Sequence, residues 1–274
     1  MPWFPTPVPS PPPTTQSAFN RCNLSPWAIA SVDFQENPQP IEIDSVRATD
    51  RRLFAKLDQI VDPARRGEVF HEYVSVKFRL HEWAEHQASA RSSLRSSYVQ
   101  FLHGWGADSN GHSGAVLKSW VENRFGLPAR YHGGRLPDDP EAVARYGRDC
   151  MRGAAKTVAV AMQLDLLYTF CQYELARRHA GERWLTLYRG THDPEEYAVR
   201  DQPSDRRALV VLNNLSSFTS DHEVAWEFGS LVWKVRIPLQ KMIFFSGLLP
   251  PQLLGGESEY LVLGGEYRVQ TLLY

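Results

Sequence analysis

The chain has 274 residues, 43% of them hydrophobic, with 30 basic side chains against 31 acidic ones and a formal net charge of −1. That length and apolar content suffice for one large domain or two small ones, and the near-neutral balance gives no field to gather nucleic acid or an anionic membrane. Three cysteines, Cys22, Cys150 and Cys171, are odd in number and widely spaced, which fits neither a disulfide framework nor a zinc cluster and points to a reducing cytoplasm.

The first residues, MPWFPTPVPSPPPTT, lack the basic and apolar regions of a signal peptide, and no apolar run is long enough to span a bilayer. Residues 1–20 are expected to form a disordered Pro-rich tail. From 21 to 182 the apolar spacing is mainly helical. Val46, Leu53, Leu57, Ile60 and Val61 predict one helix, and Phe70, Val74, Phe78 and Leu80 a second. Further helices are expected over 113–124, around Val116, Trp120 and Val121, and over 140–179.

From 183 to 274 the pattern changes to strands rich in β-branched and aromatic residues: WLTLYR, ALVVLNN, LVWKVRI, KMIFFSG, YLVLG and EYRVQTLLY. One short helix is expected in DHEVAWEFG, with Asp221 as N-cap and Gly229 as the stop. The fold class is therefore α+β, a helical half followed by a β-rich half that would carry the site.

Four stretches carry side chains suited to chemistry. HEWAEH, residues 81–86, holds His81 and His86 five apart, about 140° from each other on a helix, so they cannot grip one metal; no metal is expected. GWGADSNGHSG, residues 104–114, lacks the GK[ST] ending of a phosphate loop and reads as a loop whose glycines take positive φ, with Asp108, Asn110 and His112 as candidate ligand contacts. Arg189 ends a strand beside Gly190, where a ligand could approach the backbone, and its guanidinium fork suits a pyrophosphate. In LSSFTSD, residues 215–221, Ser217 and Thr219 fall on one strand face, with Ser216 and Ser220 beside them; such hydroxyls also serve as simple helix caps.

The remaining stretch is GGESEYLVLGGEYRV, residues 255–269. Glu257 and Glu259, two apart, would share a strand face at roughly 6 to 7 Å, where like charges raise each other's cost of ionisation unless a cation, water or substrate answers them. If the strand began only at Tyr260, both would simply be solvated.

An arginine ending one strand, Ser-x-Thr on a second and Glu-x-Glu opening a later one resemble the arginine, serine and glutamate signature of the mono-ADP-ribosyltransferases. FHEYVSVKFRLHEW, SSYVQFLHGWGADSNG, AVLKSWVENRFGL, LYRGTHDPEEY and VVLNNLSSFTSD are similar to the dinitrogenase reductase ADP-ribosyltransferases over nearly the whole chain after the tail. The resemblance implies a β-rich core of two packed sheets, NAD as co-substrate, and transfer of ADP-ribose to an arginine of the nitrogenase iron protein. It also implies answerability to a PII-type nitrogen signalling protein, and a target-reading role for SGLLPPQLLGG, residues 246–256. Leu248, Leu249, Leu253 and Leu254 there are either exposed to the partner or packed under the sheet.

By the same resemblance Glu259 stabilises the cation forming on ribose, and Glu257 orients the acceptor arginine and takes its proton. Arg189 holds the pyrophosphate, and Ser217 fixes Glu259. The family's Ser-Thr-Ser stands here as Ser217-Phe218-Thr219, so either Ser216 or Ser217 is its serine; Gly190, Thr219 and Asn110 complete the candidate NAD contacts. An NAD glycohydrolase and a non-catalytic NAD- or ADP-sensing module are the alternative readings.

Overall fold

The computed structural model describes residues 20–80, 97–136, 138–154, 157–192, 196–204, 206–254 and 259–272. HEWAEH, the Pro-rich tail and Glu257 lie outside these residues. Among the described residues, nine helices precede the first strand: α1 (Pro26–Ala30), α2 (Val32–Glu36), α3 (Val46–Thr49), α4 (Arg51–Leu57), α5 (Pro63–Lys77), α6 (Tyr98–Ala107), α7 (His112–Phe125), α8 (Pro140–Ala154) and α9 (Thr157–Arg178). Their ends follow local chemistry. Asp62 caps α5 by accepting from Ala64 N and Arg65 N at 3.1 Å each, Pro63 takes the first turn where no N–H is needed, and Gly126 closes α7 at φ 69°.

The helix expected through Val46 and Leu57 is two. Asp50 interrupts it, and its carboxylate accepts from Tyr73 Oη at 2.8 Å and from Lys77 on α5. Ile60 lies beyond α4, and Val61 is 90% exposed. The 140–179 stretch is helical as expected, in α8 and α9, with residues 155–156 between them outside the described residues.

GWGADSNGHSG is not the loop its glycines suggested, because α6 and α7 occupy most of it and none of its glycines has positive φ. Gly104 and Gly114 permit close approach instead. A Cβ on Gly104 would stand 2.1 Å from Ser113 Oγ, and one on Gly114 only 1.9 Å from the carbonyl oxygen of Ser109.

The six strands are β1 (Trp184–Thr191), β2 (Ala198–Ser204), β3 (Arg207–Thr219), β4 (Leu231–Pro238), β5 (Met242–Phe245) and β6 (Glu259–Leu272); α10 (His222–Glu227) lies between β3 and β4. Asp221 caps α10 by accepting from Glu223 N at 2.9 Å, with Gly229 just past its end. Hydrogen bonds join the six described strands into one antiparallel sheet. The cause is the length of β3 and β6, which pair from Arg207 with Gln270 to Thr219 with Glu259 and exchange other neighbours along the way. The end of β6 pairs with β4, β4 pairs with β1 throughout, and β1 meets β3 again at Tyr188 and Thr219.

Asn213 and Asn214 sit at a register shift in β3, between Leu212 and Leu215. Their side chains serve the helical half: Asn213 accepts from Arg130 N at 2.9 Å and donates to the Tyr131 carbonyl, and Asn214 donates to the carbonyls of Lys118 and Leu127. One hydrophobic core runs through both halves, with Leu57, Phe70 and Phe170 from helices beside Leu187, Leu215 and Val262 from strands. The buried Arg66 of α5 donates to Glu174 of α9 at 2.9 Å, and Arg178 reaches the same carboxylate. No helix among the described residues is long and apolar enough to cross a membrane.

Candidate active site

Thr219, last in β3, pairs with Tyr188 of β1 and with Glu259, first in β6. Side chains alternate along a strand, so Ser217 and Thr219 share a face, and Ser217, opposite Leu261, stands diagonal to Glu259. The Ser217 hydroxyl donates to Glu259 Oε1 at 2.7 Å and accepts from the indole Nε1 of Trp105 on α6 at 2.8 Å. Arg189 donates from Nη1 to the Ser217 carbonyl at 2.9 Å and from Nη2 to Glu196 Oε2 at 2.7 Å. Three strands and one helix are thereby bound into a single polar unit.

This unit faces a cavity of about 470 Å³ lined by Arg189, Gly190, Ser217, Thr219 and Glu259, with Trp105, Asp108, Glu196, His192 and Phe228 around them. Gly190 needs its missing side chain for a reason other than ligand approach. A Cβ there would stand 2.0 Å from the Ala225 carbonyl, and one on Gly229 would stand 2.1 Å from Thr191 N, so these two glycines let α10 lie directly on β1.

Ser216 is 4% exposed on the other face of β3, so Ser217 is the serine at the cavity. Asn110 is not among the lining residues; its Oδ1 accepts from Lys118 Nζ at 3.1 Å, and its backbone N–H donates to Asp108 Oδ1. His112 turns from the site toward the Asp149 carbonyl at 3.1 Å. Glu259 itself is strand-paired, opposite Thr219. Of the loop leucines, Leu248 and Leu249 are buried, and Leu253 and Leu254 are half-buried against the core.

Lys118 on α7 lies behind the cavity, its ammonium 5.8 Å from the centre of the Trp105 ring and donating to Asn110 Oδ1 and the Tyr131 carbonyl. Burial pushes its pKa down to about 8 against the pull of Glu196 and Asp108, and the Arg189 charge adds to the lowering. No group of three or more metal-ligating side chains occurs among the described residues.

The model of the dinitrogenase reductase ADP-ribosyltransferase (DRAT) family matches residues 19–271. The chain belongs to this family. It is 39% identical over 260 residues to the NAD(+)–dinitrogen-reductase ADP-D-ribosyltransferase of Rhodospirillum rubrum, covering 92% of this chain and 94% of that protein. No solved structure matches it.

In this dinitrogenase reductase ADP-ribosyltransferase family member, sequence reasoning missed Trp105 and Glu196. Trp105 was hidden by its glycine neighbours, which suggested a loop, although a buried indole N–H usually finds an acceptor. Glu196 lies in THDPEEY beyond the end of β1, where nothing local marks it as a partner of Arg189.

Proposed function

We propose that the chain transfers ADP-ribose from NAD to an arginine of dinitrogenase reductase, the nitrogenase iron protein, releasing nicotinamide and inactivating nitrogenase reversibly. The observation that carries this reading is the bonded set Arg189, Ser217 and Glu259 at one cavity, in a chain of that family. The cavity's size and its pairing of a guanidinium with a carboxylate fit NAD, which has a diphosphate for the one and a reacting ribose for the other. NAD supplies the ADP-ribosyl group and a nicotinamide that departs as a neutral ring.

Arg189 holds the diphosphate through charge-assisted hydrogen bonds, exchanging its contact with Glu196. Glu259 stabilises positive charge as it develops on the ribose, and the Ser217 hydroxyl, itself held by Trp105, fixes the orientation of that carboxylate. A guanidinium is a poor nucleophile until it loses a proton. Glu257, two residues before Glu259, is assigned to orient the acceptor arginine and take that proton. Gly190 and Thr219 complete the NAD contacts, with Ser216 and Asn110 supporting them from behind.

Residues 183–274 form the catalytic core and 21–182 its helical support, with the Pro-rich residues 1–20 outside both. β3 and β6 are assigned as the strands joining two packed layers of that core, as their change of neighbours suggests. The place of action is the cytoplasm, and a PII-type nitrogen signalling protein is the regulator implied by the resemblance.

The test is incubation with labelled NAD and purified dinitrogenase reductase. Label is expected on one arginine; Glu259→Gln is expected to lose both transfer and NAD hydrolysis, and Glu257→Gln chiefly transfer. Equal transfer by Glu259→Gln would sink the mechanism, and free ADP-ribose as sole product would favour a hydrolase.

A further inference from the structure

We propose that the acceptor arginine enters a second, smaller hollow on the far side of Glu259, and that His103 of the helical half is a positioning residue for its guanidinium. This rests on the transfer reaction proposed above.

Glu259 and Gly106 line two hollows, the cavity already described and another of about 220 Å³. The smaller one is walled by Leu249 and Leu254 of the loop before β6 and by Leu102 and His103 of α6, with Ser246 as a further polar group. A small hollow lined by leucines and one carboxylate suits a long aliphatic stem that ends in a planar cation. It is less than half the volume of the first cavity, which leaves the dinucleotide to the larger one.

Gly106 supplies an independent observation. It sits in the last turn of α6, where glycine costs helix stability relative to alanine. Unlike Gly104 two residues earlier, it has no steric need for its missing side chain, because nothing lies within 4 Å of the place a Cβ would take. Since it borders both hollows, that bare position keeps the way between them open beside Glu259. An acceptor and a ribose approaching from opposite sides need such a passage.

His103 is exposed and three residues from Gly106, so both lie on one side of α6. With its imidazole neutral, a ring nitrogen accepts a hydrogen bond from a guanidinium N–H and fixes the plane of the group. One bond forms, from a guanidine nitrogen to ribosyl C1′, as the bond from C1′ to nicotinamide breaks with its electron pair leaving on the ring nitrogen. The proton lost from guanidinium passes to the base, and the atoms and charge balance without another reactant.

The experiment measures transfer from NAD to two acceptors, agmatine as a free guanidine and dinitrogenase reductase, for the intact chain and for His103→Lys, His103→Gln and Gly106→Val. His103→Lys brings a cation against the acceptor's own and is expected to raise KM for both acceptors by about tenfold or more, leaving KM for NAD within about twofold. His103→Gln keeps an acceptor atom and is expected to restore most of the loss, and Gly106→Val to slow transfer to both. Unchanged acceptor KM in His103→Lys would overturn the assignment, as would an effect on dinitrogenase reductase but not on agmatine. An unsubstituted chain that modifies neither acceptor would instead fail the transfer reaction itself.

Discussion

Ser217→Ala isolates the contact that links catalysis to the fold. The hydroxyl sits between Trp105 Nε1 at 2.8 Å and Glu259 Oε1 at 2.7 Å, so its removal leaves an indole N–H without its acceptor and a carboxylate oxygen without its donor. A hydrogen bond to a charged group contributes about 1.5 to 3 kcal/mol, equivalent to roughly 10- to 150-fold in rate if it is felt only in the transition state. Ser217 is half-buried, so water can replace part of the loss and the lower half of that range is expected. The effect belongs in kcat. Arg189 holds the main-chain oxygen of Ser217, which alanine retains, so KM for NAD is expected to stay within about twofold. Steady-state transfer of label from NAD to dinitrogenase reductase reads both constants. A kcat within twofold of the unsubstituted chain would refute the assigned orientation of Glu259, and a raised KM with unchanged kcat would place Ser217 in NAD binding instead.

Glu196→Gln removes the carboxylate that holds Arg189 Nη2 at 2.7 Å and frees its charge for a diphosphate. Because both side chains are partly exposed, the gain is modest, and KM for NAD should fall by about two- to fivefold; a rise would show that Glu196 itself contacts NAD. Lys241 is fully buried, donates to the Gly264 carbonyl at 3.1 Å and lies 4.4 Å from the centre of the Tyr267 ring. Burial pushes its pKa down to about 7, so between that value and the ordinary 10.5 the unfolded chain binds more protons and stability from this group rises with pH. Urea unfolding at pH 7 and pH 9 should show this gain in the unsubstituted chain relative to Lys241→Met, and equal pH dependence in the two would contradict it.

The change from helical to strand periodicity near Trp184 and the short helix after Asp221 were legible in the sequence, because one follows from apolar spacing and the other from a cap and a stop. The break at Asp50 was not, since it depends on Tyr73 and Lys77 more than twenty residues away. ALVVLNN reads as a strand, and Ser217 and Thr219 as lying on a strand face, but nothing local shows that the two belong to one strand. In the fold β3 runs on through Ser217, because those asparagines bind the backbone of the helical half. β2 was missed altogether, since AVRDQPS is half-exposed or exposed along its length and shows no apolar alternation. At the site, Arg189, Ser217 and Glu259 could be found because a motif spans them, whereas Trp105 and Glu196 are joined to them by tertiary contacts alone.

Those tertiary contacts make the helical half part of the chemistry. Trp105 can hold Ser217 only if α6 is fixed against the end of β3, and α6 is set by the close approach of its Gly104 to Ser113 of α7 and by Gly114 of α7 lying against the Ser109 carbonyl of the turn between them. α7 is in turn held to the sheet through Asn214, which donates to the Lys118 carbonyl, while the Lys118 side chain comes forward beneath the Trp105 ring. The chain of contacts therefore begins at Asn214 in the register shift of β3, passes through two helices and returns to β3 three residues further on, at Ser217. Each link is a single hydrogen bond or a glycine contact with little room for adjustment. A small displacement of α6 would move the donor on Ser217, and with it the Glu259 carboxylate that the proposed reaction places at the ribose. A regulator acting on the helical half could thus change the rate without approaching NAD.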